Sequence, residues 1–427
     1  MTDRKMRLNF HGNWAGEHPG AWQVRSDNRV VFQLDYYRKL AKTAERGLFD
    51  AVFYASGLAL QTSPGRPPTP GLDPVVLCSA LAASTQRIGF VVTVSTTFNE
   101  PYNVAKTIAS LDHLSRGRAA WNVVTTYDEV AALNFGMKEL PPKSERYERA
   151  DEFVEVVLKL WDSWEPEPFA RVGNSIALNK SAVHRVDHVG SYYDVRGPAQ
   201  TPRSPQERPL LFQAGASEHG KSFAAKVADG IFCVALDLPS SKKFYLEMKE
   251  RVKKAGRDPD KVHILPGIYL YLGSTETEAR KILAEQSASG DALLQLAVRL
   301  NTSADNLKPD ETVPDEILEN ALVNPISRGH SLSMVEMFRR ERLTVREFLM
   351  RQPLSGPHRV LVGDPTQVAD SLEEWFVERA ADGFNIGNLS HEGLNHFVDH
   401  VVPLLQKRSL FRHEYQGDTL RENLLGN

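Results

Sequence analysis

The segment 210–221 carries an apolar run that gives way to small residues, Ala214-Gly215-Ala216-Ser217, and then to a helical pattern opening at Glu218-His219-Gly220-Lys221. Small side chains let a backbone approach a ligand closely, and a serine at a helix start directs its hydroxyl and the first unpaired amides at one point. That arrangement suits a phosphate. A plain helix cap at Ser217 fits the same spacing equally well, so the residues alone leave both readings open.

A second polar set sits at the ends of other apolar runs: Thr93 and Ser95, Asn122 and Thr125, and Gln213. In a barrel of parallel strands such ends converge on the axis, where their side chains reach a common extended polar ligand; otherwise they satisfy one another in the core. His18 lies between Trp14 and Trp22, where an imidazole either serves a reacting oxygen or packs against the indoles. The cluster His184-Arg185-Val186-Asp187-His188 has metal-like spacing, but a polar loop explains it as well, and no metal is expected.

Absent motifs narrow the chemistry. No two of the 28 glycines are separated by a single residue, so neither a dinucleotide fingerprint nor a Walker A loop can be written. There is no Gly-x-Ser-x-Gly elbow, no Cys-x-x-Cys and no His-Glu-x-x-His. The 51 Lys and Arg against 54 Asp and Glu give a formal charge of −3 over 427 residues, which leaves no excess positive charge for nucleic acid or an anionic membrane surface. Cys78 and Cys233 sit inside apolar runs, as buried free thiols do. With no apolar signal-peptide stretch and no run of membrane-spanning length, the expected location is the cytoplasm.

The elements that must position these residues alternate. Strand-like runs at 7–10, 50–54, 88–95, 119–125, 209–213, 230–235, 262–271 and 383–389 are separated by helical patterns, among them 34–46, 73–84, 145–164 and 364–381. Eight such strands predict a (β/α)8 TIM barrel, α/β in class, as one domain over 1–427. Two stretches interrupt the repeat, at about 165–208 and 290–358. Long insertions in a compact domain are often functional, and the second, polar and helical, is the expected active-site lid.

The residues resemble a known family. Glu17-His18-Pro19-Gly20-Ala21-Trp22, Ala44-Glu45-Arg46-Gly47-Leu48-Phe49-Asp50, Ser110-Leu111-Asp112-His113-Leu114-Ser115, Trp121-Asn122-Val123-Val124-Thr125, Arg146-Tyr147-Glu148-Arg149-Ala150-Asp151, Gln213-Ala214-Gly215-Ala216-Ser217 and the tail Phe411-Arg412-His413-Glu414-Tyr415 are similar to blocks of the nitrilotriacetate and dibenzothiophene-sulfone monooxygenases. These are bacterial luciferase-like enzymes, and the blocks run through essentially the whole chain in family order.

The resemblance implies a luciferase-like barrel that takes reduced FMN from a separate NAD(P)H-dependent flavin reductase and uses O2 to oxygenate a small molecule, as a homodimer or tetramer. It implies that Ser217, with the amides of Gly215 and Ala216 and help from Tyr147, holds the flavin phosphate. Thr93 and Asn122 would face the isoalloxazine and the oxygen-reacting edge, and His18 the substrate side. Where many relatives have Asp, this chain has Ser56, which the resemblance places beside the flavin. Oxygen activated on a flavin is lost as hydrogen peroxide where water enters, so the pocket must be dry; Phe10, Trp14, Tyr54, Phe98 and Phe232 are its candidate apolar walls. The runner-up activities are a deazaflavin-dependent dehydrogenase and a non-catalytic flavin-binding barrel on the same fold. Substrate identity stays open between sulfur-, nitrogen- and halogen-bearing molecules.

Overall fold

Eight parallel strands close into a ring in the computed structural model of the protein, which describes residues 4–12, 32–60, 71–215, 217–287, 292–323, 328–352 and 358–426. In chain order they are β1 (Arg7–His11), β2 (Ala51–Tyr54), β3 (Gly89–Ser95), β4 (Ala119–Val124), β5 (Leu210–Gln213), β6 (Gly230–Cys233), β7 (His263–Leu272) and β8 (Gly383–Gly387). The ring closes where β8 lies between β7 and β1, with Asn385 opposite Gly267 and Gly383 opposite Arg7. Every strand expected from the sequence is present, because strands buried on both faces read as near-continuous apolar runs.

Helices α1 (Leu34–Arg46), α2 (Pro74–Ala82), α3 (Pro101–Ser115), α4 (Lys143–Trp161), α5 (Glu218–Val227), α6 (Leu238–Lys254) and α7 (Pro365–Val377) cover the outside. Local chemistry sets their starts. Asp73 accepts the amides of Val75 and Val76 at 2.9 and 3.0 Å with Pro74 in the first turn, and Asp364 accepts those of Thr366 and Gln367 with Pro365 likewise placed. The last outer helix, α8, spans 391–407 and contains a π turn at Phe397–Val401. No helix among the described residues is long and apolar enough to cross a membrane.

Side-chain parity divides two cores. Phe53, Val91, Ala120, Leu210, Phe212, Phe232 and Leu265 fill the barrel, whereas Leu8, Phe10, Val52, Tyr54, Val92 and Trp121 face the helices. The end of the barrel from which the strands start is sealed by the C-terminal helix Leu420–Leu425: Leu420 and Leu424 join the inner core, and His263 Nε2 donates to the Leu424 carbonyl at 2.7 Å. Aspartates brace that floor. Asp50, Asp229 and Asp382 stand immediately before β2, β6 and β8 and accept the amides of Leu8 (2.8 Å), Leu211 (2.9 Å) and Ile264 (2.9 Å) in the adjacent strands. Their cationic partners are Arg412, Arg257 (3.1 Å) and Lys249 (2.8 Å). Burial alone would raise the Asp382 carboxyl, but the charge and hydrogen bond of Lys249 and the Ile264 amide hold it below its ordinary value.

The two insertions lie at opposite ends. The chain from α4 to β5 folds as two small antiparallel hairpins, Phe169–Val172 with Ser175–Leu178 and His188–Val189 with Asp194–Val195. It then crosses the floor, where Gln206 Nε2 donates to Asp112 Oδ1 and the Ala119 carbonyl, both at 2.7 Å. An α-to-β connection emerges at the start of strands, so this insertion cannot cover their far ends. His184 pairs with Glu165 at 2.9 Å, while His188 meets Glu152 at 3.2 Å and Lys159 at 3.1 Å. The two imidazoles therefore serve separate polar contacts, and among the described residues no group of three His, Cys, Asp or Glu is placed to hold a metal.

The second insertion comprises helices Ala292–Arg299, Asp315–Val323, Arg328–Glu341 and Val345–Arg351 around its own core of Leu296, Leu318, Met334, Phe338 and Phe348. Leu236, just beyond β6, belongs to this core, and Asp237 beside it pairs with Arg340 at 3.1 Å. A ninth strand, Arg359–Gly363, returns from the insertion and pairs with the far half of β7, from Ile268 to Leu272. Its sequence was hidden by the prolines that mark the insertion.

The floor has a measurable pH signature. Burial lowers the His263 imidazole from 6.5 to about 3. Between those values the unfolded chain binds a proton that the folded chain does not, so this group's contribution is fully present above pH 6.5 and is lost as pH falls toward 3. His263→Gln should flatten the acid side of the melting-temperature profile across that window; an unchanged slope would remove His263 as the cause.

Candidate active site

With the floor filled, the open positions are at the C-terminal strand ends. Thr93 and Asn122 are directly opposed in the β3–β4 register, and Asn122 Nδ2 donates to Thr93 Oγ1 at 3.0 Å. Both are buried, and Asn122 Oδ1 has no partner among the described residues. An amide acceptor left so inside a barrel is expensive unless a ligand or a water meets it. Ser95 and Thr125 are used locally: Ser95 Oγ accepts from Thr126 Oγ1 at 2.7 Å, and the carbonyls of Thr125 and Thr126 take the Arg146 guanidinium.

Aromatic rings complete the mouth. His11, at the end of β1, has its ring centroid 5.6 Å from Phe53 and 5.5 Å from Phe232, and Phe53 and Phe232 meet edge to face at 5.2 Å. His358, just before the ninth strand, stacks on Phe232 at 4.9 Å. Of the expected walls, Phe232 lines the barrel. Phe10 and Tyr54 do not: strand alternation turns both to the helix layer, where Tyr54 meets Tyr37 of α1 at 5.9 Å. Phe98 instead stacks on Phe135 at 4.5 Å in the loops above β3 and β4.

The second group assembles at the amino end of α5. Ser217 is the N-cap, its Oγ accepting the Gly220 amide at 3.2 Å. A Cβ on Gly215 would fall 2.5 Å from Gln213 Nε2 and 3.0 Å from Gly220 Cα, and one on Gly220 would fall 2.9 Å from the Tyr147 hydroxyl. Gln213, Gly215, Gly220 and Tyr147 therefore converge on the helix start, and Gln213 Oε1 is buried without a partner among the described residues. The rest of the terminus is held rigidly, with Arg251 on Glu218 at 2.6 Å and Lys221 on Glu247 at 2.8 Å.

The structure thus brings Thr93 together with Asn122, and Tyr147 and Gly215 together with Ser217. Ser56 lies partly exposed in the loop after β2. His18, Trp14 and Ala216 fall outside the described residues. Two residues whose rings border the mouth were missed by sequence reasoning, His11 and His358. Alternation along Arg7, Asn9 and His11 was the available signal for the first, since Asn9 points inward to Asn385 at 2.9 Å.

A family model described as luciferase-like monooxygenase matches residues 8–383. The chain belongs to that family. The luciferase-like monooxygenase is 40% identical over 99% of its length, and 97% of the relative's, to N-acetyl-S-(2-succino)cysteine monooxygenase of Bacillus subtilis (strain 168). It is 36% identical, at the same coverage, to nitrilotriacetate monooxygenase component A of Aminobacter aminovorans. Among solved structures, EDTA monooxygenase from Chelativorans sp. BNC1 superposes with a TM-score of 0.84 at 35% identity, covering 99% of this chain and 98% of that one. The monooxygenase is accordingly flavin-dependent, the oxygenase component of a two-component system that uses O2 and a partner flavin reductase.

The monooxygenase's Ser217 hydroxyl demonstrably caps α5, so Ser217→Ala should cost about 1 kcal/mol of folding stability in the absence of flavin. Ser217→Asp, which keeps a capping oxygen, should retain most of it. Denaturant midpoints for the two variants decide; equal losses would mean the Gly220 contact contributes nothing.

Proposed function

We propose that the flavin is FMN, taken up reduced from an NAD(P)H-dependent reductase and bound with its phosphate at the amino end of α5 and its ring system over Thr93 and Asn122. The observation that carries this reading is the convergence of Gln213, Gly215, Ser217, Gly220 and Tyr147 on one helix terminus. That cradle fits an anion because the helix dipole and unpaired amides favour negative charge. Capping does not compete with this role. Ser217 Oγ accepts from Gly220, so its own hydrogen is available to a phosphate oxygen, and Tyr147 adds a second hydroxyl.

Reduced FMN, once bound, supplies the electrons with which one atom of O2 enters an organic substrate and the other leaves as water. The protein's part is to bind, orient and keep dry. Asn122 Oδ1, without a partner among the described residues, would accept a ring N–H, and its Nδ2 bond to Thr93 holds the amide in place. The helical insertion excludes water as a lid, supported by its docking on Leu236 and Asp237 at the end of β6. His18 and Ser56 are read as substrate- and flavin-side groups from the resemblance. The active unit is read as a homodimer or tetramer from the resemblance. Substrates named for the relatives, N-acetyl-S-(2-succino)cysteine, nitrilotriacetate and EDTA, are the first compounds to test.

Anaerobic titration tests the phosphate assignment. Ser217→Ala should weaken reduced FMN binding by about 1.5–3 kcal/mol, roughly ten- to a hundredfold in Kd, with no further effect on riboflavin, which the wild type already binds poorly. Equal weakening of both flavins would defeat it. Asn122→Ala should keep its melting temperature while losing about ten- to a hundredfold in coupled oxygenation; unchanged turnover with a much lower melting temperature would make the residue structural.

A further inference from the structure

One side chain ties the end of the helical insertion to the strand that returns from it. Gln352 ends the helix Val345–Arg351, its amide donating to the Phe348 carbonyl at 2.8 Å. Phe348 is fully buried in the insertion's own core, stacked on Phe338 at 4.3 Å. The Gln352 side chain then spans to the strand that returns from the insertion: Nε2 donates to the His358 carbonyl at 2.5 Å, and Oε1 accepts the Val360 amide at 3.3 Å. One carboxamide therefore fixes the two peptide groups on either side of Arg359, and Gln352 is itself buried.

That backbone aims an imidazole inward. The His358 ring lies nearly parallel to Phe232, 4.9 Å apart at 18°, and edge-on to Tyr269 at 5.1 Å. It occupies the space over Gly267, where a Cβ would fall 2.4 Å from Nδ1. Phe232 in turn touches His11 and Phe53, the rings that border the mouth. The ring stands beyond the end of β6, where the barrel wall is continued only by the ninth strand paired to β7.

We propose that His358 is a positioning residue of the oxygenation reaction, a ring that seals the β6–β7 side of the mouth against water, and that Gln352 is the latch through which the folded insertion sets it. The inference rests on the reading of the insertion as a lid over a flavin site. It assigns the seal to stacking on Phe232, not to the ring nitrogens.

The test uses the full chain with reduced FMN and O2 and no organic substrate, following hydrogen peroxide release, the outcome when water reaches the site. His358→Ala should release peroxide at least about tenfold faster than wild type, while His358→Phe, which keeps the stack, should stay within about twofold. Gln352→Leu should fall between, and amide hydrogen exchange in 328–352 and 359–363 should accelerate. A wild-type peroxide rate in His358→Ala, or a His358→Phe as leaky as the alanine variant, would overturn the seal; unchanged exchange in Gln352→Leu would overturn the latch. Should His358→Ala not fold, the phenylalanine and Gln352 variants still decide, because loss of sealing in a variant that keeps the ring contradicts the proposal. Anaerobic titration of each variant separates this from failure of the flavin reading: a wild type that binds no reduced FMN refutes that reading, and the exchange data still judge the latch.

Discussion

A parallel barrel functions only while its sheet stays closed, and here closure is pinned by the carboxylate of Asp50. It stands ahead of β2, takes the Leu8 amide of β1 at 2.8 Å and binds Arg412 from the tail, all out of water. Removing the guanidinium from such a pair leaves a buried charge that costs about 3–5 kcal/mol. The pair is nevertheless not an efficient source of net stability, since Arg412 Nε and Nη1 have no partner among the described residues. Its value is registration: two adjacent strands and the C-terminal segment are forced into one arrangement. Asp229 and Asp382 repeat the device at β5–β6 and β7–β8, so the floor is set at three points around the ring.

That registration determines where chemistry is possible. Strand alternation is rigid, so once Ala51 and Gly89 are opposed, Phe53 meets Val91 and the inner face continues to Thr93 and Asn122 without further freedom. Leu420 and Leu424 occupy the floor, Asn9 and Asn385 pair with each other within the barrel, and Thr93 and Asn122 stand at the far end. There the molecule carries two buried acceptors, Asn122 Oδ1 and Gln213 Oε1, with no partner among the described residues. At about 1–3 kcal/mol each, such groups are a stability cost that a ligand or an ordered water offsets. They occur at the two places where the ring and the phosphate of a flavin would be held.

The strands were legible from sequence because burial on both faces makes them apolar throughout, and the same property made their parity illegible. Phe10 and Tyr54 look like pocket walls in a list of aromatics, yet they face the helices. His11 escaped notice one residue past an apolar run. His358 was concealed by Pro353 and Pro357, which read as insertion and masked the strand that follows. At Ser217 a cap and a phosphate ligand are compatible, because a hydroxyl accepts and donates through different atoms and the observed cap uses the acceptor.

The two halves of the site differ in mechanical support, and this matches a cofactor that must arrive and leave in every cycle. The α5 terminus is fixed by Arg251 on Glu218 and by Lys221 on Glu247, and by glycines that admit no side chain. A rigid anchor loses little entropy when it binds an anion repeatedly. The helical insertion instead has a core of its own and meets the barrel through Leu236, through Arg340 on Asp237, through Lys243 near Glu336 at 3.7 Å, and through Gln352. A unit with its own core can shift without unfolding, so opening would break these links among the described residues. On the proposed reading, with the flavin phosphate on the scaffold and the water barrier on the insertion, exchange of flavin and exclusion of water would be controlled by different parts of one chain.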